Sequence, residues 1–368
     1  AIPFSLALNR HKNNKIIKLI ISLCGFSFVL PSILVVYAVI KIYGYNGILN
    51  NYFNFYNFFQ IDTIYGLTGI LLAHIFLNAP FATRLFVQNL NNIPEKYYEI
   101  SKTLNLSFMG NIIKLEYPII KQNLFTVFSI IFSLCFLSFA IVMALGGSPK
   151  NSTLEVAIYQ YALFELNFQK AIILSFIQIF ICLVFVLIGF FSIKGSNFFE
   201  IDIKTNVHPH KDIKLVKLLD IIVIIFFAVL LFSPISVLIL DFISTNFSKI
   251  IFNSYFLKSL TNSLVISIVT GIMVSGFGLL ISCLIVINYN KFIFQQILLI
   301  LSSMILIISP IIFSLGYFIV LQKLIHLVYF KFFVVILINS IFLLPFSILI
   351  LFSNLKNVYL TFEDFKDT

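Results

Sequence analysis

Residues 171–191 read AIILSFIQIFICLVFVLIGFF, twenty-one positions without a charged side chain. An α-helix needs about 20 apolar residues to cross the hydrocarbon of a bilayer. It also satisfies its own backbone groups, which lipid cannot do. A barrel strand would be about half this length and would alternate polar with apolar residues. Seven more runs share this character, near 16–41, 64–89, 121–145, 218–241, 257–287, 294–322 and 331–353. The chain reads as all-α, a polytopic transmembrane helical bundle with eight complete spans.

Composition supports the same class. Of 368 residues, 60% are hydrophobic and 10% charged, too few polar groups to cover a soluble surface. The net charge of +10 is spread between apolar runs as membrane flanks are, so it implies lipid and no nucleic-acid partner. Cys24, Cys135, Cys182 and Cys283 each lie inside an apolar run, without metal-ligand or disulfide spacing. The linker triplet His208-Pro209-His210 reads as a solvated loop. Seventeen Lys and Arg residues fall in the loops on the Arg10 side and seven on the other. The positive-inside bias therefore puts Arg10, the 90–120 loop and the 194–217 linker in the cytoplasm.

The chain repeats itself. Asn9–Lys12 resembles Asn288–Lys291 and Pro31 matches Pro310, both at an offset of 279. At an offset of 265, Pro80-Phe81 matches Pro345-Phe346, Asn89-Leu90 matches Asn354-Leu355, Asn92 matches Asn357, and Glu99 meets Asp364. Five spans separate the two Pro-headed helices, so the copies are parallel rather than inverted. The expected organisation is a first repeat at 1–193, a cytoplasmic linker at 194–217 and a second repeat at 218–368. Ala1 corresponds to residue 280 and Thr368 to Thr103. On that register the chain is expected to be an internal piece of a protein with about twelve spans.

The cytoplasmic stretch 91–121 is too long for a plain turn. Pro94-Glu95 opens a helix. Tyr97, Tyr98, Ser101 and Leu104 follow on one side, and Asn105 interrupts it as a residue that tolerates the left-handed conformation. A second short amphipathic segment carries Phe108, Ile112, Ile113 and Leu115 before Pro118. From physics alone this is equally an ordinary interfacial connector. The order Glu99-Ile100-Ser101, then Asn105, then Leu115-Glu116-Tyr117-Pro118 resembles the loop of binding-protein-dependent ABC importer permeases, whose pattern is Glu-Ala-Ala, a Gly, then Ile-x-Leu-Pro. The spacing of nineteen from Glu99 to Pro118 is the family's. Both alanines are replaced, and Asn105 stands where Gly is usual.

A second passage narrows the resemblance. Leu137–Val142 runs into Leu145-Gly146-Gly147-Ser148-Pro149, followed by Ser152–Gln160. Physically it is a span ending in a Gly-Gly turn, then a short outer helix for which Ser152 and Glu155 suggest a capping box. It resembles the permeases of thiamine importers, a fused two-copy type, and more loosely those of ferric-iron importers. The resemblance implies a MetI-like fold in the bacterial inner membrane, a periplasmic binding protein delivering thiamine or its phosphates, and two cytoplasmic ABC ATPases as partners. It also implies an ATPase-coupling loop bearing Glu99, Ser101, Asn105, Leu115, Pro118 and, in the second copy, Asp364.

The chain has no P-loop, so ATP hydrolysis falls to another subunit. No cofactor, metal site or catalytic constellation is legible. His74, Asn78 and Asn339, the last at the position of His74 in the second copy, are polar residues inside spans. They are candidates for a pathway lining and equally for helix–helix hydrogen bonds. A different class, an ion-coupled secondary transporter, would need mid-span acids, whereas Asp220 and Asp241 lie at span ends.

Overall fold

The computed structural model describes residues 1–26, 30–53, 63–91, 93–147, 150–191, 208–209, 213–244, 251–288, 307–321 and 328–363. Among these there is no strand. Among the described residues seven helical segments are long and apolar enough to cross a membrane: Ser32–Phe53, Leu67–Asn91, Phe108–Phe136, Phe168–Gly189, Lys214–Ser244, Ser254–Ile287 and Phe332–Phe352. The molecule is a multi-pass α-helical membrane protein. Two compact units emerge from its packing, one of residues 1–157 and 184–244, the other of 158–183 and 245–368.

The first unit opens with α1 (Ile2–Arg10), α2 (Lys15–Phe26) and α3 (Ser32–Tyr43). The run at 16–41, expected as one span, is thus interrupted at Leu30-Pro31, where the described chain is not helical. Pro31 precedes α3 with φ −57° and ψ 128°. Its ring excludes the preceding helical turn, and its missing N–H cannot continue a ladder. α4 (Ile48–Phe53) is short. α5 (Leu67–Asn91) is continuous through Pro80. The expected span at 121–145 is divided between α8 (Tyr117–Phe136) and α9 (Ala140–Leu145). The dividing residues Leu137-Ser138-Phe139 include no Gly or Pro to announce the break.

Three apolar clusters hold this unit. Val35, Val36 and Val39 of α3 meet Ala73 and Phe76 of α5 and Ile141 of α9. Phe4 and Leu8 of α1 meet Ile20 and Cys24 of α2, and Val87 of α5. Leu85, Phe86 and Leu90 meet Ile120 and Val127 of α8. Lipid offers no hydrophobic drive between helices, so close packing and hydrogen bonds must do the joining. Gly25 leaves room for the Arg84 guanidinium, and Thr126 Oγ1 donates to the Gly189 carbonyl (3.0 Å).

Two acids tie α12 (Lys214–Ser244) to the N-terminal helices. Asp220 pairs with Arg10 at the end of α1, while Asp241 accepts from Tyr37 Oη (2.6 Å) and lies 3.4 Å from Lys41 Nζ at the end of α3. They stand 21 residues apart, about 30 Å at 1.5 Å per residue, the thickness of the hydrocarbon core. This agrees with the loop charges, which set Arg10 and Lys41 on opposite sides.

α10 (Leu154–Tyr159) starts without the expected capping box. Ser152 Oγ donates to the Thr153 carbonyl (3.4 Å) instead of accepting from the helix, and Glu155 is fully buried in the first turn. α11 (Phe168–Phe191) follows.

In the second unit, α13 (Ser254–Ile287) packs along α15 (Val328–Glu363). Ser347 Oγ donates to the Val274 carbonyl (3.2 Å) and Ser282 Oγ to the Ile348 carbonyl (3.4 Å). Gly278 abuts Ser347, with no space for a side chain. α14 (Pro310–Leu321) begins on a proline, with Ser309 Oγ accepting from the Ile312 N–H (3.2 Å). The N-terminal part of the expected 294–322 span, through residue 306, and most of the 194–217 linker lie outside the described residues.

Substituting Gly278→Val should force α13 and α15 apart and cost about 1–3 kcal/mol. A fall in melting temperature of the purified protein in detergent, relative to a control Gly271→Val where nothing lies within 4 Å of the added carbon, is the expected result.

Candidate functional site

The 94–118 loop begins with Pro94 in the extended conformation, after which α6 (Glu95–Thr103) starts on an acid suited to a helix N-terminus. The helix ends as expected on Asn105, whose φ is +47°. The Leu106 N–H reaches the Ser101 carbonyl and the Asn105 N–H the Lys102 carbonyl, both at 3.0 Å. That is a complete Schellman motif, so Asn105 performs the turn for which Gly is the usual residue.

The side expected to be uniform is divided. Tyr98 and Ser101 face inward, 2% and 3% exposed. Tyr97, Ile100 and Leu104 face outward with Glu99. Beyond the bend, Ser107 Oγ accepts from the Gly110 N–H (3.1 Å) and starts α7 (Phe108–Asn111). Met109 and Ile113 are exposed there as well. The loop therefore shows an apolar outer surface around Glu99 while its other side is anchored.

The second segment is not a separate short helix. α7 passes through a π-helical turn, Ile112–Glu116, directly into α8, with Pro118 in the first turn of α8. The wider turn accommodates a residue that lacks an N–H and would otherwise clash with a carbonyl one turn back. Leu115 is half-buried and Pro118 exposed. The loop is thus rigidly continuous with a span. Asp364, the second-copy counterpart of Glu99, lies outside the described residues.

Beneath the loop is a charge cluster that sequence reasoning missed. Arg10 donates from Nε to Asp220 Oδ2 (2.9 Å) and from Nη2 to Asp220 Oδ1 (2.6 Å), and His11 Nε2 lies 3.0 Å from Asp220 Oδ2. Glu116, fully buried, faces Arg10 Nη1 at 3.9 Å through Oε2 and His208 Nε2 at 3.1 Å through Oε1. His208 is therefore buried against the loop, 3% exposed, and not solvated as its Pro-flanked context suggested; His210 lies outside the described residues. A buried carboxylate needs such partners, since desolvating an unpaired one would cost several kcal/mol. The only sequence sign was an acid, Glu116, opening an apolar run. The Tyr98 ring lies 5.1 Å from that of His208, and burial beside Glu116 holds its phenol above the ordinary range. Among the described residues no cluster of three His, Cys, Asp or Glu side chains is arranged to hold a metal.

Beside the cluster, Lys12 Nζ donates to Asn91 Oδ1 (2.7 Å). Burial lowers the Lys12 ammonium to about 8, against the opposing pull of Glu95.

The mid-span candidates are not gathered into one site. His74 and Asn78 lie one turn apart on α5, both half-buried, and Asn78 Nδ2 lies 3.2 Å from Cys135 Sγ on α8. Asn339 is exposed on α15 in its own unit.

Residues 1–195 match the family model described as binding-protein-dependent transport system inner membrane component. The thiamine transport system permease protein of Haemophilus influenzae is 34% identical over 92% of this chain, and that of Escherichia coli 27% over 92%. The Brucella suis protein of the same name is 35% identical over 51% of the chain. This chain spans 63% of the length of the H. influenzae and E. coli proteins. No solved structure matches significantly.

Two measurements check the local account. Asn105→Gly should leave the melting temperature within a degree or two, whereas Asn105→Val, forced into the left-handed region, should lose about 1–2 kcal/mol. For Lys12 the native state releases its proton near pH 8 while the unfolded chain keeps it to about 10.4. The unfolded state then binds more protons in that interval, so stability rises with pH. Melting curves between pH 8 and 10 should show this rise relative to a Lys12→Gln variant.

Proposed function

We propose a transport role for the complete protein from the premise that this chain belongs to the family of binding-protein-dependent transport system inner membrane components. The protein is the membrane-spanning subunit of an ATP-driven importer in a bacterial inner membrane. A periplasmic binding protein delivers the ligand from outside. Two ABC ATPases in the cytoplasm bind and hydrolyse ATP. Neither step needs chemistry from this chain, which is not itself an enzyme.

The observation that carries the reading is the geometry of the 94–118 loop. Its outer surface combines Glu99 with exposed Tyr97, Ile100, Leu104 and Met109. An apolar patch of this kind on an otherwise polar loop suits a protein partner. Its far side passes without a flexible joint into α8. A push on α6 is therefore delivered to a span, as alternation between outward- and inward-open forms requires. The two-repeat organisation belongs to the same reading. α1 packs on α5 in one unit and their repeat counterparts, α13 and α15, pack together in the other. Asp364 would open the second coupling loop. His74, Asn78 and Asn339 would line the pathway.

Thiamine or a thiamine phosphate is the proposed ligand. It is supported by relatives of that name that match 92% of the chain. They do not favour the ferric-iron reading. An ion-coupled carrier is disfavoured because Asp220 and Asp241 sit at the two ends of α12, each in an ion pair, and not at mid-span.

A Glu99→Lys variant should insert normally and lose at least tenfold in uptake of labelled thiamine, measured in proteoliposomes with the binding protein and ATPase. Wild-type uptake by that variant would refute the coupling role. Uptake of iron in place of thiamine by the parent would refute the ligand.

A further inference from the structure

Arg10 stands between two carboxylates from different elements. It commits Nε and Nη2 to Asp220 on α12 at 2.9 and 2.6 Å. Its remaining nitrogen, Nη1, is buried and makes no hydrogen bond, and it faces Glu116 Oε2, which makes none either, at 3.9 Å. Glu116 is the last residue of the π turn that joins the loop to α8. The guanidinium plane also lies over the Phe108 ring at 5.2 Å, on the loop's own α7. Arg10 side-chain exposure is 6%, that of Asp220 3% and that of Glu116 zero, so water cannot substitute for any partner lost.

A shift of about 1 Å in the loop relative to α1 would bring Nη1 and Oε2 into hydrogen-bond range. A fork held by two bonds on one carboxylate, with its third edge poised on another, has two arrangements of similar composition. Packed protein interiors turn small displacements into such discrete exchanges.

We propose that Arg10, Glu116 and Asp220 form a charge relay that carries displacement of the coupling loop into α12. The relay rests on the importer reading above. It gives the loop a second output besides α8. α12 is the helix the sequence repeat assigns to the second copy, so one loop acts on spans of both copies. Arg10 is the shared cation, Glu116 the input and Asp220 the output. All three are positioning residues and touch no ligand. The His208 imidazole on Glu116 Oε1 holds the linker end to the same node.

The test compares Glu116→Gln and Asp220→Asn with the parent in proteoliposomes containing the complete transporter, its ATPase and its thiamine-loaded binding protein. Thiamine uptake and ATP hydrolysis are measured together. The expected result is ATP hydrolysis within about threefold of the parent and uptake per ATP at least tenfold lower. A merely structural role would lower both rates in parallel with the amount of inserted protein, leaving the ratio unchanged, and that result overturns the relay. Where a carboxylate variant is not inserted, Arg10→Lys decides, since it keeps the buried charge and loses the fork. It should show the same lowered ratio, and a parental ratio overturns the proposal. Glu99→Lys separates the two readings. If Glu99→Lys abolishes uptake while the cluster variants keep the parental ratio, the relay fails and the importer reading stands. If Glu99→Lys transports normally, the coupling role of the loop, on which the relay rests, fails.

Discussion

Burial of the Arg10 guanidinium against Asp220 constrains the first unit more than any other single contact. A lone charge in that position would cost several kcal/mol, so α1 and α12, 210 residues apart in sequence, must meet there in one geometry. The fork donates two parallel bonds to one carboxylate, which fixes orientation as well as proximity. With that contact set, Asp241 near the other end of α12 falls beside Tyr37 and Lys41, about one hydrocarbon thickness away. The outer and inner ends of three helices are thereby aligned by charge at their ends, while apolar packing fills what lies between.

The same neutralisation explains how the 94–118 loop can be both exposed and rigid. Glu116 is drawn inward by Arg10 and His208, and Tyr98 and Ser101 turn with it. Glu99 and its apolar neighbours are left facing out. Asn105 makes the arrangement possible by ending α6 in the left-handed region at a small conformational cost, so that the chain reverses and enters α7. The π turn then feeds α8 without a hinge.

Packing in the second unit obeys a different rule. Few charges are available along α13 and α15, and the helices meet through Gly278 with hydrogen bonds from Ser282 and Ser347 to opposing carbonyls. Small residues allow that approach, and polar side chains without a water partner bond to the neighbouring backbone.

The sequence by itself determined the all-helical membrane class, the internal repeat and the bend at Asn105. Each of these depends on local properties: run length, self-similarity and one residue's backbone tolerance. Tertiary structure alone decided that Ser152 does not cap α10, that Pro118 lies in the first turn of a span's helix and that His208 is buried. It also placed Glu116 opposite Arg10 and Asp220. Those outcomes depend on which distant groups meet in a medium that cannot solvate them, and the identities of Arg10, Glu116 and Asp220 say nothing of that until the helices bring them within 4 Å.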